Sequence, residues 1–351
     1  MDRPDPQGHA LNRPTGRAAE GASHPARHDP VTAVNHAMTA RKILAFGEIL
    51  WDLLPDGPVL GGAPFNFACR MGSLGHHALV ASRLGRDDLG RRARGRIAEL
   101  GMDARLIQSH DDKPTGTVPI KLGADGVPDF TILPDVAYDY IESEPALLEA
   151  AAAADCVCFG TLAQRTATSR ETLYQVLDAA ERSVKLADIN LRRDCYSPET
   201  VRESLRRADI LKLNEEEVRY VAALLALPPA SYSEFAARLL TEAGLTHCVI
   251  TLGPRGVFAA SAEGEMAYEP GRDVAVKDTT GSGDGLTAAF VHALLNGANL
   301  RECCRLGNAM GSLVATRAGA THAVAPEALA AFLHDPPPAI LEPSLRDYLP
   351  D

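Results

Sequence analysis

The run VKDTTGSGDGLTAAFVHALLNG, Val276 to Gly297, places two glycines, a serine and an aspartate directly ahead of an apolar periodic stretch. Leu286, Ala289, Phe290, Ala293 and Leu294 recur at helical spacing, and Asn296-Gly297 supplies a stop. A helix with one buried face is therefore predicted to begin near Gly283. Gly281, Ser282 and Gly283 then offer nearly bare backbone N–H groups at its positive end, which is the physical recipe for holding an anion. Asp284 lies in the first turn, where the helix dipole stabilises a carboxylate. Taken alone it is equally well a charged first-turn residue with no chemistry. The spacing is neither GxxxxGK[ST] nor the GxGxxG of dinucleotide folds.

Other polar, glycine-rich clusters accompany it. GEILWDLLPDG and LGGAPFNFACRMGSLG also set a Gly-Gly turn before a helix, flanked by Asp52 and Asn66. DINLRRD (188–194) ends one apolar run in Asp, Asn and Arg, LKLNEEE (211–217) ends another in Asn and Glu, and TLGPRGV (251–257) ends a third in turn glycines. Strand ends on the carboxyl side of a parallel sheet converge on one crevice, so these clusters imply a single large site.

The elements that must position them are legible as an alternation. Apolar runs predicted as strands are 42–49, 77–85, 156–162, 184–190, 208–214 and 247–253, and amphipathic stretches fall at Pro64–Leu74, Leu89–Leu100, Ser169–Ala180, Pro198–Arg207 and Tyr232–Glu242. Strands apolar throughout and separated by helices predict a mainly parallel sheet covered on both faces, a three-layer α/β/α fold. Thr115–Leu133 instead alternates on both sides of a turn at Ala124-Asp125-Gly126 and is predicted to be a hairpin. It is either an edge of the main sheet or, with the loop 50–62, a small β-flap over the site. A flap suits chemistry that must exclude water.

Bulk properties narrow the class. The 351 residues carry a net charge of -11, which disfavours nucleic-acid binding, and no stretch is apolar for the length of a membrane span. The odd cysteine number (seven), without CxxC pairs and mostly inside apolar runs, predicts buried free thiols in a reducing cytoplasm. Residues 1–40 are rich in Pro, His, Arg and Ala and are predicted to be disordered; residues 1–37 are expected to be dispensable, with Met38 a natural start. The remainder is predicted as one domain over 41–335, with lid segments near 50–62 and 113–134 and a C-terminal tail over 336–351. His76-His77 and the CxC at Cys156–Cys158 complete no ligand set, so no transition metal is predicted.

From about Lys42 to Pro326 the sequence resembles the ribokinase/PfkB family of sugar kinases. GGAPFNFA, LKLNEEE, TLGPRG and DTTGSGD stand in the family's order and spacing. The resemblance implies a ribokinase-like fold, ATP and magnesium as cofactors, and phosphoryl transfer to a sugar hydroxyl. It makes Asp284 the general base and Gly281, Ser282 and Gly283 the anion hole, with Ser282 where alanine is commoner. Asp52, Gly62, Asn66, Asn190 and Arg192 fall on the sugar side. Lys212, Asn214, Thr251, Gly253, Gly256 and Asn308 fall on the nucleotide side, with Glu217 acting indirectly on magnesium. Asp278, Thr280, Val314, Arg317 and Gly319 match the positions whose backbone carbonyls bind potassium in many relatives. Among members, the fructokinases are most similar; where they commonly carry Ala-Trp-Asp after the flap, this chain has Ala137-Tyr138-Asp139, which alters that contact. The acceptors implied are fructose first, then ribose, 2-keto-3-deoxygluconate or a nucleoside. A catalytically silent sugar-binding relative is the rival class, and a homodimer through the lid is one assembly the family uses.

A tension accompanies that assignment. The dipole that ionises Asp284 also weakens it as a base, so its proton affinity is expected to rise as the lid closes and phosphate arrives.

Overall fold

The computed structural model describes residues 39–349 except 55–56, 123–127 and 229. The predicted disorder of 1–40 falls almost wholly outside the described residues, as does the turn at 124–126.

In chain order, β1 (Lys42–Phe46) leads to a hairpin of β2 (Leu50–Leu54) and β3 (Gly57–Gly61), then α1 (Ala63–Ser73), β4 (His77–Gly85), α2 (Asp88–Glu99) and β5 (Ile107–His110). The strands β6 (Gly116–Leu122) and β7 (Pro128–Phe130) follow, then α3 (Pro145–Ala152), β8 (Cys156–Phe159), α4 (Ala167–Ala179), β9 (Val184–Asp188), α5 (Pro198–Arg207) and β10 (Ile210–Asn214). The remainder comprises α6 (Glu215–Leu224), α7 (Tyr232–Ala243), β11 (His247–Thr251), β12 (Gly256–Ser261), β13 (Met266–Arg272), α8 (Ser282–Leu295), α9 (Leu300–Ala315), α10 (Pro326–His334) and β14 (Ala339–Ile340).

Ten strands form one sheet in the order β14-β13-β12-β11-β10-β9-β8-β1-β4-β5, parallel from β11 to β5 and antiparallel from β11 to β14. Side chains alternate across it as the pleat requires: Ile43 and Ala45 join the apolar layer of α1, α2, α8 and α9, while Leu44 and Phe46 join that of α3 to α7. This is the predicted three-layer arrangement. The antiparallel edge was not legible, because 256–272 reads as one glycine-punctuated run without the helix that separates every other pair.

The lid is a separate four-stranded sheet, β3-β2-β6-β7, with β2 and β6 parallel. The hairpin is therefore a flap and not an edge of the main sheet. Most predicted strands stop two or three residues early: β1 ends before Gly47, β9 at Asp188 and β11 at Thr251. The polar and glycine residues that follow leave the hydrogen-bonded ladder and turn into the crevice.

One expectation fails. The helix α8 was predicted to bury one face, yet every residue from Gly285 to Ala293 is buried. It lies between α1 and α9 above the sheet, so no face meets solvent. Of the predicted tail, residues 336–349 are described, and they pack onto the sheet: β14 pairs with β13, and Leu345 is buried.

Candidate functional site

The crevice opens where α1 and α8 both present their N-termini. Gly281 caps α8 in the left-handed region at φ 76°, and a side chain there would run into Ala320. Gly62 precedes α1 at φ 119°, and a β-carbon there would strike the Glu48 carbonyl. Glycine is thus required at both helix entries by backbone angle and by space.

The amides of the predicted anion hole are not equivalent. Ser282 N donates to Thr279 O at 3.1 Å and Gly285 N to Gly281 O at 2.8 Å. Among the described residues no acceptor stands on Gly281 N, Gly283 N or Asp284 N, so these amides are open to a ligand; Ser282, expected to contribute its N–H, spends it on the turn. Lys212 reaches the same spot, since a β-carbon on Gly283 would stand 3.5 Å from its Nζ. Ser282 Oγ and Asn66 Oδ1 are buried without partners, the state expected of polar atoms that wait for a ligand.

Asn66, from α1, donates through Nδ2 to Asp284 Oδ2 at 2.8 Å. That bond joins the two helix N-termini and, among the described residues, leaves Asp284 Oδ1 without a hydrogen-bond partner. Burial and the negative charge of Asp188 raise the Asp284 pKa to about 6, against the lowering by Asn66, Lys212 and Arg192. Desolvation and a neighbouring carboxylate thus act in the direction opposite to the dipole. Asp188 itself, at the end of β9, accepts from Lys212 Nζ at 3.0 Å in a pair that is about nine-tenths buried on both sides.

Two further acids surround this pair. Burial raises Asp52, on the lid strand β2, to about 6, with Arg192 opposing and Asp278 adding. Burial also raises Glu48 to about 7, although its Oε1 accepts from Ala63 N at 3.1 Å. Glu48, Asp188, Asn190 and Arg192 line one recess beside α1. Asn190 holds a left-handed φ of 38°, and Arg192 is exposed. Sequence reasoning missed Glu48 and Asp188 as site residues. Both were visible as acids at the ends of apolar runs, but only the chain's path brings them beside Asp284.

The residues expected on the nucleotide side are built differently. Asn214 Oδ1 caps α6 by accepting from Glu216 N and Glu217 N, each at 3.0 Å, and Glu217 Oε2 returns to Asn214 N at 2.8 Å. The NxxE motif is thus a capping box. Glu217 Oε1 takes Leu191 N at 2.8 Å, so both its oxygens are engaged and it fits an indirect role toward magnesium, not direct ligation. Thr251 Oγ1 donates to Leu213 O at 3.2 Å, Gly253 and Gly256 adopt positive φ, and Asn308 donates to Pro270 O at 2.8 Å.

The potassium positions gather around Asp278, whose carboxylate accepts from Thr280 N at 2.9 Å and Gly319 N at 2.8 Å. Two of the five carbonyls are already engaged: Val314 O by Arg317 N, and Gly319 O by His322 Nδ1. The set as it stands is only a partial fit to a cation.

Tyr138 does not reach the crevice. It is fully buried, packs against Gly116 at the root of β6, and its hydroxyl accepts from Arg165 at 3.2 Å. Its exchange for tryptophan is a matter of lid packing. Arg83 and Arg86 pair with Glu142 and Asp111.

A model described as pfkB family carbohydrate kinase matches residues 58–328. A fructokinase of Klebsiella pneumoniae is 30% identical over 301 residues, covering 81% of this chain and 96% of the relative. An aminoimidazole riboside kinase of Salmonella typhimurium is 28% identical over 313 residues, covering 83% and 95%. Among solved structures, an uncharacterized sugar kinase from Pyrococcus horikoshii in complex with ATP is similar, with TM-score 0.66 at 28% identity, covering 80% of this chain and 94% of that one.

Proposed function

The chain belongs to the pfkB family of carbohydrate kinases, which transfer phosphoryl groups to alcohol acceptors, and on that premise we propose that it moves the γ-phosphoryl group of ATP to a hydroxyl of fructose. The observation that carries this is the Asn66–Asp284 bond at 2.8 Å, set beside two unpaired helix amides and Lys212.

The acceptor hydroxyl sits against Asp284 Oδ1, the oxygen Asn66 leaves free. Asp284 takes its proton as the hydroxyl oxygen bonds to phosphorus and the bond to the ADP oxygen breaks. A base held near pKa 6 is ionised at neutral pH yet keeps real proton affinity, the compromise general-base catalysis needs. Gly283 N, Asp284 N and Lys212 Nζ receive the charge on the transferring group, and their positions are set before reaction. Asp52 and Asn66 bind sugar hydroxyls from the lid and α1, and the lid sheet excludes water. Glu217 fixes the Asn214 and Leu191 amides, and a magnesium ion bound with the nucleotide would supply charge neutralisation at the phosphates.

A coupled ADP-release assay with MgATP against fructose, ribose, 2-keto-3-deoxygluconate, glucose and aminoimidazole riboside tests the assignment. Turnover highest with fructose supports it. Preference for the riboside supports the second reading, favoured by similarity of comparable extent to the riboside kinase. Silence with all acceptors while ATP binds overturns catalysis.

A further inference from the structure

The family match ends at residue 328, yet the chain continues into a segment that folds back on the nucleotide side. We propose that residues 336–349 brace the Thr251–Gly256 turn and set the affinity for ATP, with Glu342 as the positioning residue. The proposal rests on the assignment of that turn to the nucleotide.

The turn is pressed directly onto β13. A β-carbon on Gly256 would collide with the Glu269 carbonyl, and one on Gly271 with the Pro254 carbonyl. Asn308 is fastened to the same stretch through Pro270 O at 2.8 Å. Wherever Glu269–Gly271 moves, the turn and Asn308 must follow. The other edge of β13 is held by the C-terminal segment. Gly271 and Arg272 pair with Ile340 and Ala339, and Asp273 N donates to Pro338 O at 2.9 Å.

Glu342 then ties the segment to the turn itself. Its carboxylate pairs with Arg255 and accepts from Ser344 Oγ at 2.7 Å, and its backbone N donates to Tyr268 OH at 2.6 Å. Tyr268 OH in turn donates to Arg255 O at 2.7 Å. The second arm of Arg255 reaches Glu215 Oε2 at 2.6 Å, and Glu215 also receives Tyr232 OH at 2.6 Å. Glu215 directly follows Asn214, so one network links the NxxE cap, the glycine turn and the C-terminal segment. Leu345 anchors the segment in the core, and Tyr348 packs edge-on against Phe258 at 5.4 Å. Charge-assisted bonds of this kind are shorter and stronger than neutral ones, and fixing a binding loop beforehand removes part of the ordering cost of binding.

Removal of the whole segment would uncover Leu345's place in the core, so the test uses point variants of the full chain. MgATP binding is titrated calorimetrically without any acceptor, for Glu342→Ala and Glu342→Gln, with folding checked by circular dichroism. Glu342→Ala is expected to weaken MgATP about ten-fold, and Glu342→Gln, which keeps one of the two acceptor oxygens, distinctly less. In turnover the loss appears in KM for ATP, while kcat and KM for the sugar stay within about two-fold of the parent. An unchanged ATP affinity in folded Glu342→Ala overturns the brace, and so does an equal loss toward ATP and sugar. Gly253→Asn separates this from failure of the premise. Asparagine tolerates the left-handed angle, and a β-carbon at Gly253 meets nothing within 4 Å of the protein. If Gly253→Asn binds ATP normally, the turn assignment is wrong; if it binds poorly and Glu342→Ala does not, the brace alone is wrong.

Discussion

On the proposed acceptor side of the crevice, Asp284, Asp188, Glu48 and Asp52 crowd together against Lys212 and the exposed Arg192, and three of these acids have raised pKa values. On the proposed nucleotide side, Asn214, Glu217, Glu215, Arg255 and Glu342 satisfy one another through capping and ion pairs, although burial raises the Glu217 carboxyl as well. Buried polar atoms without partners, Asn66 Oδ1 and Ser282 Oγ, occur at the first wall and not at these residues of the second. The contrast separates two tasks. A wall that must exchange a proton and hold developing charge keeps its groups underpaired, at a cost in stability; a wall that need only present a fixed surface to a nucleotide can be fully satisfied.

The comparison is broken most severely at Asp284. Asp284→Asn should lower kcat by roughly 10²- to 10⁴-fold with MgATP affinity nearly unchanged, as read by steady-state kinetics beside calorimetry. A mild loss would remove its role as base. For the unmutated chain, kcat/KM for the sugar should fall as pH drops below about 6, because the base must be ionised to act.

Lys212→Met comes next, because it strands Asp188 in a buried place beside Asp284. It should destabilise the fold by about 3–5 kcal/mol and push the acid limb of the pH–rate profile upward, the second effect being the one a purely structural lysine would not give. Denaturant unfolding and pH-dependent kinetics read the two separately.

Glu48→Gln sharpens the contrast from the stability side. Glu48 has its folded pKa raised from 4.5 to about 7, so its contribution is present below the unfolded value and lost as pH rises through about 7. The amide keeps an acceptor for Ala63 N and cannot ionise. Relative to the parent, the variant should gain on the order of 3 kcal/mol between pH 4 and pH 8, read from urea unfolding at each pH. A difference independent of pH would mean that Glu48 ionises without penalty.

The smallest effect belongs to the satisfied wall. Asn214→Ala should cost about 1 kcal/mol as a lost helix cap, with no change in the pH–rate profile. A shifted profile would show that the two walls are electrostatically one.

Much of this arrangement was legible beforehand, for identifiable reasons. Every helix predicted from periodicity is present within two residues of its predicted bounds, because an amphipathic face records burial directly in the chain. The Gly281–Asp284 and Gly61–Asn66 segments could be recognised because backbone geometry at a helix entry admits few residue types. The antiparallel β12–β14 edge was hidden, since its pairing depends on partners up to 70 residues away. The partnership of Glu48 and Asp188 with Asp284 was hidden for the same reason.

Sequence alone determined the elements, the helix entries and the residue types placed at strand ends, for these follow from local sterics and from the period of burial. Which acids stand close enough to raise one another's pKa, which helix amides are spent within a turn, and whether Tyr138 faces substrate or Arg165 were decided only by the tertiary structure. Those properties depend on distances and on solvent exclusion between distant segments, and neither is carried by any single stretch of the chain.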